Sequence, residues 1–194
     1  LAPAAAAIEH PGGWHTRADI ARIRAQIASG KEPWASAHAA LLNYSAATVA
    51  TVGYTPSPVA TVHRDCCNKH PNNNGNGNFE RDGINAYYLM VKWIATSNAS
   101  YADAAETVID AWSAELTGFA GHDQMLAAGI YGSHMAQAAE LLAFAKPAWA
   151  GKARAQQMFR EVIHPVCELF CGRTNSGPPL PRPQTCDAGA NGPP

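Results

Sequence analysis

The stretch HDQMLAAGIYGSHMAQAAELL carries three side chains of the types that move protons, His122, Tyr131 and His134. Tyr131 and His134 are three residues apart, so on a helix they share a face. In a cleft such a pair supplies an acid and a base. The same residues also suit a polar rim around a packed tyrosine, since a lone histidine more often has a structural role. Arg81 and Asn85 form a second group at a helix start. Arginine can grip a carboxylate through two parallel N–H bonds, and a helix N-terminus favours an anion. The plain alternative is a solvated helix start. Tyr87 and Tyr88 face different ways, so one packs and the other reaches a cleft; Tyr88 is assigned to the cleft. His63 and His70 fall in a long loop able to close over a ligand. Among the tryptophans, Trp93 and Trp112 sit at helical spacing and read as core, whereas Trp14, Trp34 and Trp149 are open to stacking on a sugar ring.

These groups need helices to position them. Residues 1–16 read as an extended arm, broken by Pro11-Gly12-Gly13. Thr16 and Asp19 form a capping-box variant, and RADIARIRAQIAS follows as a helix with Ile20, Ile23 and Ile27 on one face, stopped by Gly30. Pro33 and Trp34 open an alanine-rich second helix. Residues 51–80 hold three prolines, three glycines and six asparagines and lose the helical period. A loop of that length is usually functional or disordered. Helical spacing resumes at Asp82 as N-cap, with Ile84, Tyr87, Tyr88, Val91 and Ile94 as its stripe. YADAAETVIDAWSAEL is the next helix. The glycine-bearing helix from Asp123 follows, where Gly129 and Gly132 suggest close backbone approach. The last helix is interrupted at Pro165. Residues 172–194 form a proline- and glycine-rich tail. The expectation is an all-α domain over 17–171, built of antiparallel helical hairpins, with no convincing strand pair.

Composition narrows the function. The chain has 194 residues, 47% hydrophobic and 15% charged, with a net charge of −1. That balance supplies no basic footprint for nucleic acid. No apolar run reaches the about 20 residues that span a bilayer. Two sequons, at Asn43 and Asn98, and five cysteines point to a secreted, extracellular protein. Four of Cys66, Cys67, Cys167, Cys171 and Cys186 can form two disulfides, with Cys66 or Cys67 tying the 51–80 loop to a helical segment. Adjacent Cys66 and Cys67 are poorly placed to bond to each other. The Cys167–x3–Cys171 spacing lacks a second soft ligand pair, so no metal and no cofactor is expected.

Three ordered segments resemble the opening of alginate-lyase-like polysaccharide lyases. They are HPGGWHTRADIARIRAQIASGKEPW, RDGINAYYLMVKWIATSNASYADAAETVIDAWSAEL and HDQMLAAGIYGSHMAQAAELL. The resemblance implies an incomplete (α/α) toroid of helical hairpins with an open cleft. It implies cleavage of an acidic polysaccharide, of alginate or glucuronan type, by β-elimination. Such chemistry needs a neutralised carboxylate, a base for the C5 proton and an acid for the leaving oxygen. His134 and Tyr131 are the candidates for proton transfer. Arg81, Asn85, Tyr88, His122 and His70 are the candidates for binding. The matching segments cover roughly residues 10–165, and Ala190–Pro194 fall about where the family's asparagine motif begins, with Asn191 as its counterpart. The family's later arginine and tyrosine lie beyond, so the chain is expected to be half a toroid, completed by a missing C-terminal half or a second chain. The alternatives are a non-catalytic glycan-binding or defence protein on the same scaffold, and an interaction module with a concave helical face.

Overall fold

The computed structural model describes residues 9–43, 51–65 and 75–170, and the chain is mostly helical. Its helices are α1 (Arg17–Ala28), α2 (Trp34–Asn43), α3 (Asn76–Thr96), α4 (Ala99–Glu115), α5 (Gln124–Ala145), α6 (Lys152–Met158) and α7 (His164–Phe170). Two short strands, β1 (Thr61–His63) and β2 (Gly118–Ala120), complete the described elements.

The α1 start follows the sequence. Thr16 accepts from the Asp19 backbone N–H, and the Asp19 side chain returns the bond to the Thr16 N–H, which satisfies two open donors of the first turn. Only Ile20 of α1 is fully buried; Ile23 packs at the edge of the core. No residue of α2 is buried, so this helix lies on the outside of the array.

The centre is α3, packed against α4, α5 and α1. It starts at Asn76, a turn and a half before the expected N-cap. Asp82 is therefore a core residue inside the helix. The buried face runs through Phe79, Asp82, Gly83, Ala86, Leu89 and Met90, while Ile84, Tyr87, Tyr88 and Val91 are only partly buried. The expected stripe followed the large apolar side chains. Ile94 is buried as expected, and the rest of the buried face joins the apolar Phe79, Leu89 and Met90 to small and polar positions that allow close approach and hydrogen bonding.

Asp82 explains the shift. Its carboxylate is fully buried and accepts from Trp112 Nε1 of α4 at 2.8 Å, from the Ser57 backbone N–H at 2.8 Å, and from the Tyr54 hydroxyl. Arg81 Nε donates to the same Tyr54 hydroxyl at 2.8 Å and lies 3.5 Å from Asp82. Burial and the neighbouring Asp82 carboxylate raise the Tyr54 hydroxyl above the usual tyrosine range, so it remains a donor. One buried anion thus fastens α4 and the 51–60 segment to α3. A buried charge is tolerable only when hydrogen-bonded in this way.

That segment leads into β1, which pairs with β2 in parallel, Val62 opposite Phe119. Val62 is fully buried, and Phe119 stacks edge-on against Phe79 at 5.3 Å. The strand pair is a correction to the sequence reading. Each strand has three residues, too few for an alternating pattern to register.

On α5, Gly132 meets Ile163, whose Cγ2 would lie 2.9 Å from an added Cβ, whereas Gly129 faces open space. The expected close approach holds at Gly132 alone. Ile163 ends a π-helical turn, Phe159–Ile163, in which the His164 N–H bonds to the Phe159 carbonyl. The break in the last helix therefore precedes Pro165. A proline has no N–H to give to the turn before it, and a wider turn absorbs that loss.

Four expectations fall on residues outside those described: Cys66, Cys67, Cys171 and Cys186 as disulfide partners, the 172–194 tail, His70 and Asn191. Cys167 is partly buried on α7.

Replacing Asp82 with Ala should cost about 3 kcal/mol of unfolding free energy, since hydrogen bonds to a charged group are worth roughly 1.5–3 kcal/mol and the Trp112 and Ser57 donors would be stranded. Asp82→Asn, which keeps one carbonyl acceptor, should cost less. Urea denaturation followed by tryptophan fluorescence reads both; an unchanged midpoint for Asp82→Ala would show that the carboxylate braces nothing.

Candidate functional site

The α3–α5 contact sets the site. An added Cβ at Gly83 would stand 2.9 Å from the Tyr131 carbonyl oxygen and 4.0 Å from the His134 Cβ. The missing side chain lets the two helices approach at that level. Glu80 and Tyr87, three residues before and four after Gly83, then line up along α3 beside Tyr131 and His134 of α5.

Two neighbouring groups result. In the first, the Tyr131 hydroxyl meets Arg64, whose Nη1 is 3.4 Å away and whose guanidinium sits 5.6 Å from the ring centre. The Glu80 carboxylate stands near the same hydroxyl. Burial raises the Tyr131 hydroxyl above its ordinary range, against the opposing charge of Arg64 and with a further push from Glu80. Tyr131 is thus a proton donor at neutral pH, not a phenolate.

In the second group, His134, Tyr87, His15 and Trp14 cluster. The Tyr87 ring centre is 5.9 Å from that of His134 and 5.0 Å from that of Trp14, both edge-on. Trp14 also meets His134 edge-on at 5.4 Å. His134 Nδ1 lies 2.9 Å from the Ile130 carbonyl. A carbonyl only accepts, so Nδ1 carries the hydrogen and Nε2 of the neutral ring keeps its lone pair. His15 Nε2 is 2.8 Å from the Tyr87 hydroxyl. Burial holds His15 below 6.5, partly offset by the Asp19 carboxylate, and burial with Tyr88 alongside raises Tyr87. Both are neutral at pH 7 and form a proton-sharing pair.

The N-terminal arm brings Trp14 and His15 here. It is laid across α5 by bonds from Gly12 N to Glu140 at 2.9 Å and from Trp14 N to Gln137 at 2.8 Å. Its His10 ring also meets Glu140 at 2.5 Å.

The remaining candidates lie elsewhere or serve other ends. Asn85 is fully buried and bonds Tyr54, so it belongs to the Asp82 network. Arg81 is 37% exposed but is engaged by Tyr54 and Asn78. His122, 55% exposed, sits 3.5 Å from Asp65, with His63 3.8 Å away on the same carboxylate. Tyr88 is partly buried beside Tyr87. The described part of the 51–80 loop is held down by Asp82 and by the strand pairing, so residues 51–65 are not a free lid. Sequence reading missed Arg64, Glu80 and His15. The adjacent Trp14-His15 pair before the capping box was the available signal for the last.

No protein family, curated protein or solved structure matches the chain. No helix among the described residues is long and apolar enough to cross a membrane.

His15 should titrate below 6.5 by NMR, and Asp19→Asn should lower its midpoint further, because Asp19 is what raises it. The fold favours neutral His15. Its contribution to stability is therefore complete above the unfolded value of 6.5 and is lost as pH falls through the lower folded value. A midpoint at or above 6.5 would contradict the buried placement.

Proposed function

We propose that the chain is part of a secreted polysaccharide lyase that cleaves a uronic-acid polymer, of alginate or glucuronan type, by β-elimination. The observation that carries this reading is the alignment of His134, Tyr131 and Arg64 beside the α3–α5 contact. They are a base with a free lone pair, a protonated acid and a cation. The ordered sequence resemblance supports it, and so does the helical architecture, which fits part of an (α/α) toroid.

In this reading Arg64 pairs with the uronate carboxylate and makes the C5 proton acidic. His134 Nε2 takes that proton, the C5–H electrons form the C4–C5 double bond, and the C4–O bond breaks. Tyr131 gives its proton to the leaving oxygen. The Tyr87–His15 pair orients His134 and excludes water from one side. Tyr88, beside Tyr87, extends the binding face. The sequons support a secreted protein, since Asn43 and Asn98 are both exposed.

A non-catalytic glycan-binding or defence role has its own support in Trp14, which is 48% exposed beside the tyrosine–histidine cluster. An aromatic face of this kind holds a sugar without chemistry.

Polymannuronate and glucuronan incubated with the chain should gain the ultraviolet absorbance of an unsaturated uronate. Tyr131→Phe and His134→Ala should each cut the rate about 100- to 10,000-fold, the usual worth of a general acid or base, with little change in melting temperature. Binding without any unsaturated product would favour the glycan-binding role.

A further inference from the structure

We propose that residues 10–15 of the N-terminal arm are a gate over the proton-handling face, latched shut by Gln137 and Glu140 of α5, and that His134 is reached when the latch opens. The proposal concerns access to the face described above and rests on the lyase reading only for what enters. In the closed state Trp14 and His15 sit on that face. The Trp14 ring is edge-on to His134 at 5.4 Å and to Tyr87 at 5.0 Å, and His15 Nε2 is 2.8 Å from the Tyr87 hydroxyl. Tyr87 also stands edge-on to His134, and His134 Nδ1 is held at the Ile130 carbonyl, so the ring is boxed in and only partly exposed. A polymer brings its C5 proton to Nε2 once Trp14 and His15 swing aside.

Three features make the arm a gate and not a fixed wall. First, little holds it. Residues 9–15 lie in no helix or strand, and only Pro11 among them is buried. Among the described residues, no backbone–backbone hydrogen bond joins them to another element. Segments with so few buried contacts open locally, well before the fold as a whole. Second, the hold comes from two side chains on one face of α5. Gln137 Oε1 accepts the Trp14 N–H at 2.8 Å, and Glu140 accepts the Gly12 N–H at 2.9 Å and meets the His10 ring. These catches stay on the helix when the arm lifts. Third, Gly13 fits the latch. Its φ of 72° lies in the left-handed region that favours glycine, and an added Cβ would stand 2.5 Å from Gln137 Oε1. A side chain at this position would push Gln137 off the Trp14 N–H.

Diethyl pyrocarbonate, which acylates a neutral imidazole nitrogen, reads the gate in the full chain without substrate, each histidine being followed by peptide mass spectrometry. In the parent, His134 should react more slowly than His164, whose side chain is 64% exposed. Gln137→Leu should speed His134 about fivefold, the worth of one ordinary hydrogen bond in the opening equilibrium. Gly13→Ala should act in the same direction from the arm side. Gln137→Glu, which keeps an oxygen to accept the Trp14 N–H, should stay near the parent. His164 should react at one rate throughout. A parent His134 as reactive as His164, or a His134 rate unchanged in both Gln137→Leu and Gly13→Ala, would overturn the gate. Equal effects of Gln137→Glu and Gln137→Leu would mark lost packing and overturn it too, as would a matching rise at His164, which marks general loosening. The gate and the chemistry fail separately. With the gate right and the lyase reading wrong, His134 reactivity rises in the variants and no unsaturated product forms. With the lyase reading right and the gate wrong, product forms and His134 reacts alike in every variant.

Discussion

The carboxylate of Asp82 is the constraint on which the rest of the fold depends. It has no exposure, so its charge must be met inside, and the three donors that meet it come from two parts of the chain: Trp112 on α4, and Ser57 and Tyr54 in the segment before β1. Meeting that need fixes the rotation of α3. With Asp82 inward, Phe79, Gly83 and Ala86 face the core, and Glu80 and Tyr87 fall at its margin beside α5. The proton-handling face is then set by a packing requirement one residue away from Gly83.

The same constraint decides which cation is available. Arg81 is drawn into the network through Tyr54, while Arg64, on the far side of β1, reaches Tyr131. The β1–β2 pairing holds Arg64 there, with its N–H bonded to Ala120 at 2.9 Å and its carbonyl accepting from Asp123 at 3.0 Å. Two three-residue strands thus have a role out of proportion to their length. They convert an irregular segment into a rigid mount for one guanidinium.

Much of the helical order was legible in the sequence, because it rests on local rules. The Thr16–Asp19 capping box and the Gly30 stop depend on residues a few positions apart. So did the shared face of Tyr131 and His134. What was not legible depends on contacts between distant residues. Asp82 reads as an N-cap by type, and only Trp112 and Tyr54 make it a core anion. Arg64 and Arg81 are equivalent as letters, and tertiary partners separate them. His15 gains its meaning from Tyr87, 72 positions on.

The proposed reaction takes a proton from C5 and does not add water across the glycosidic bond. Polymannuronate deuterated at C5 tests it most directly. Chain scission should be slower than with the protonated polymer, and every new non-reducing end should be unsaturated, with its C5 deuterium lost to solvent. Saturated new ends that retain the deuterium, cut at the same rate, would mean hydrolysis and would contradict the account.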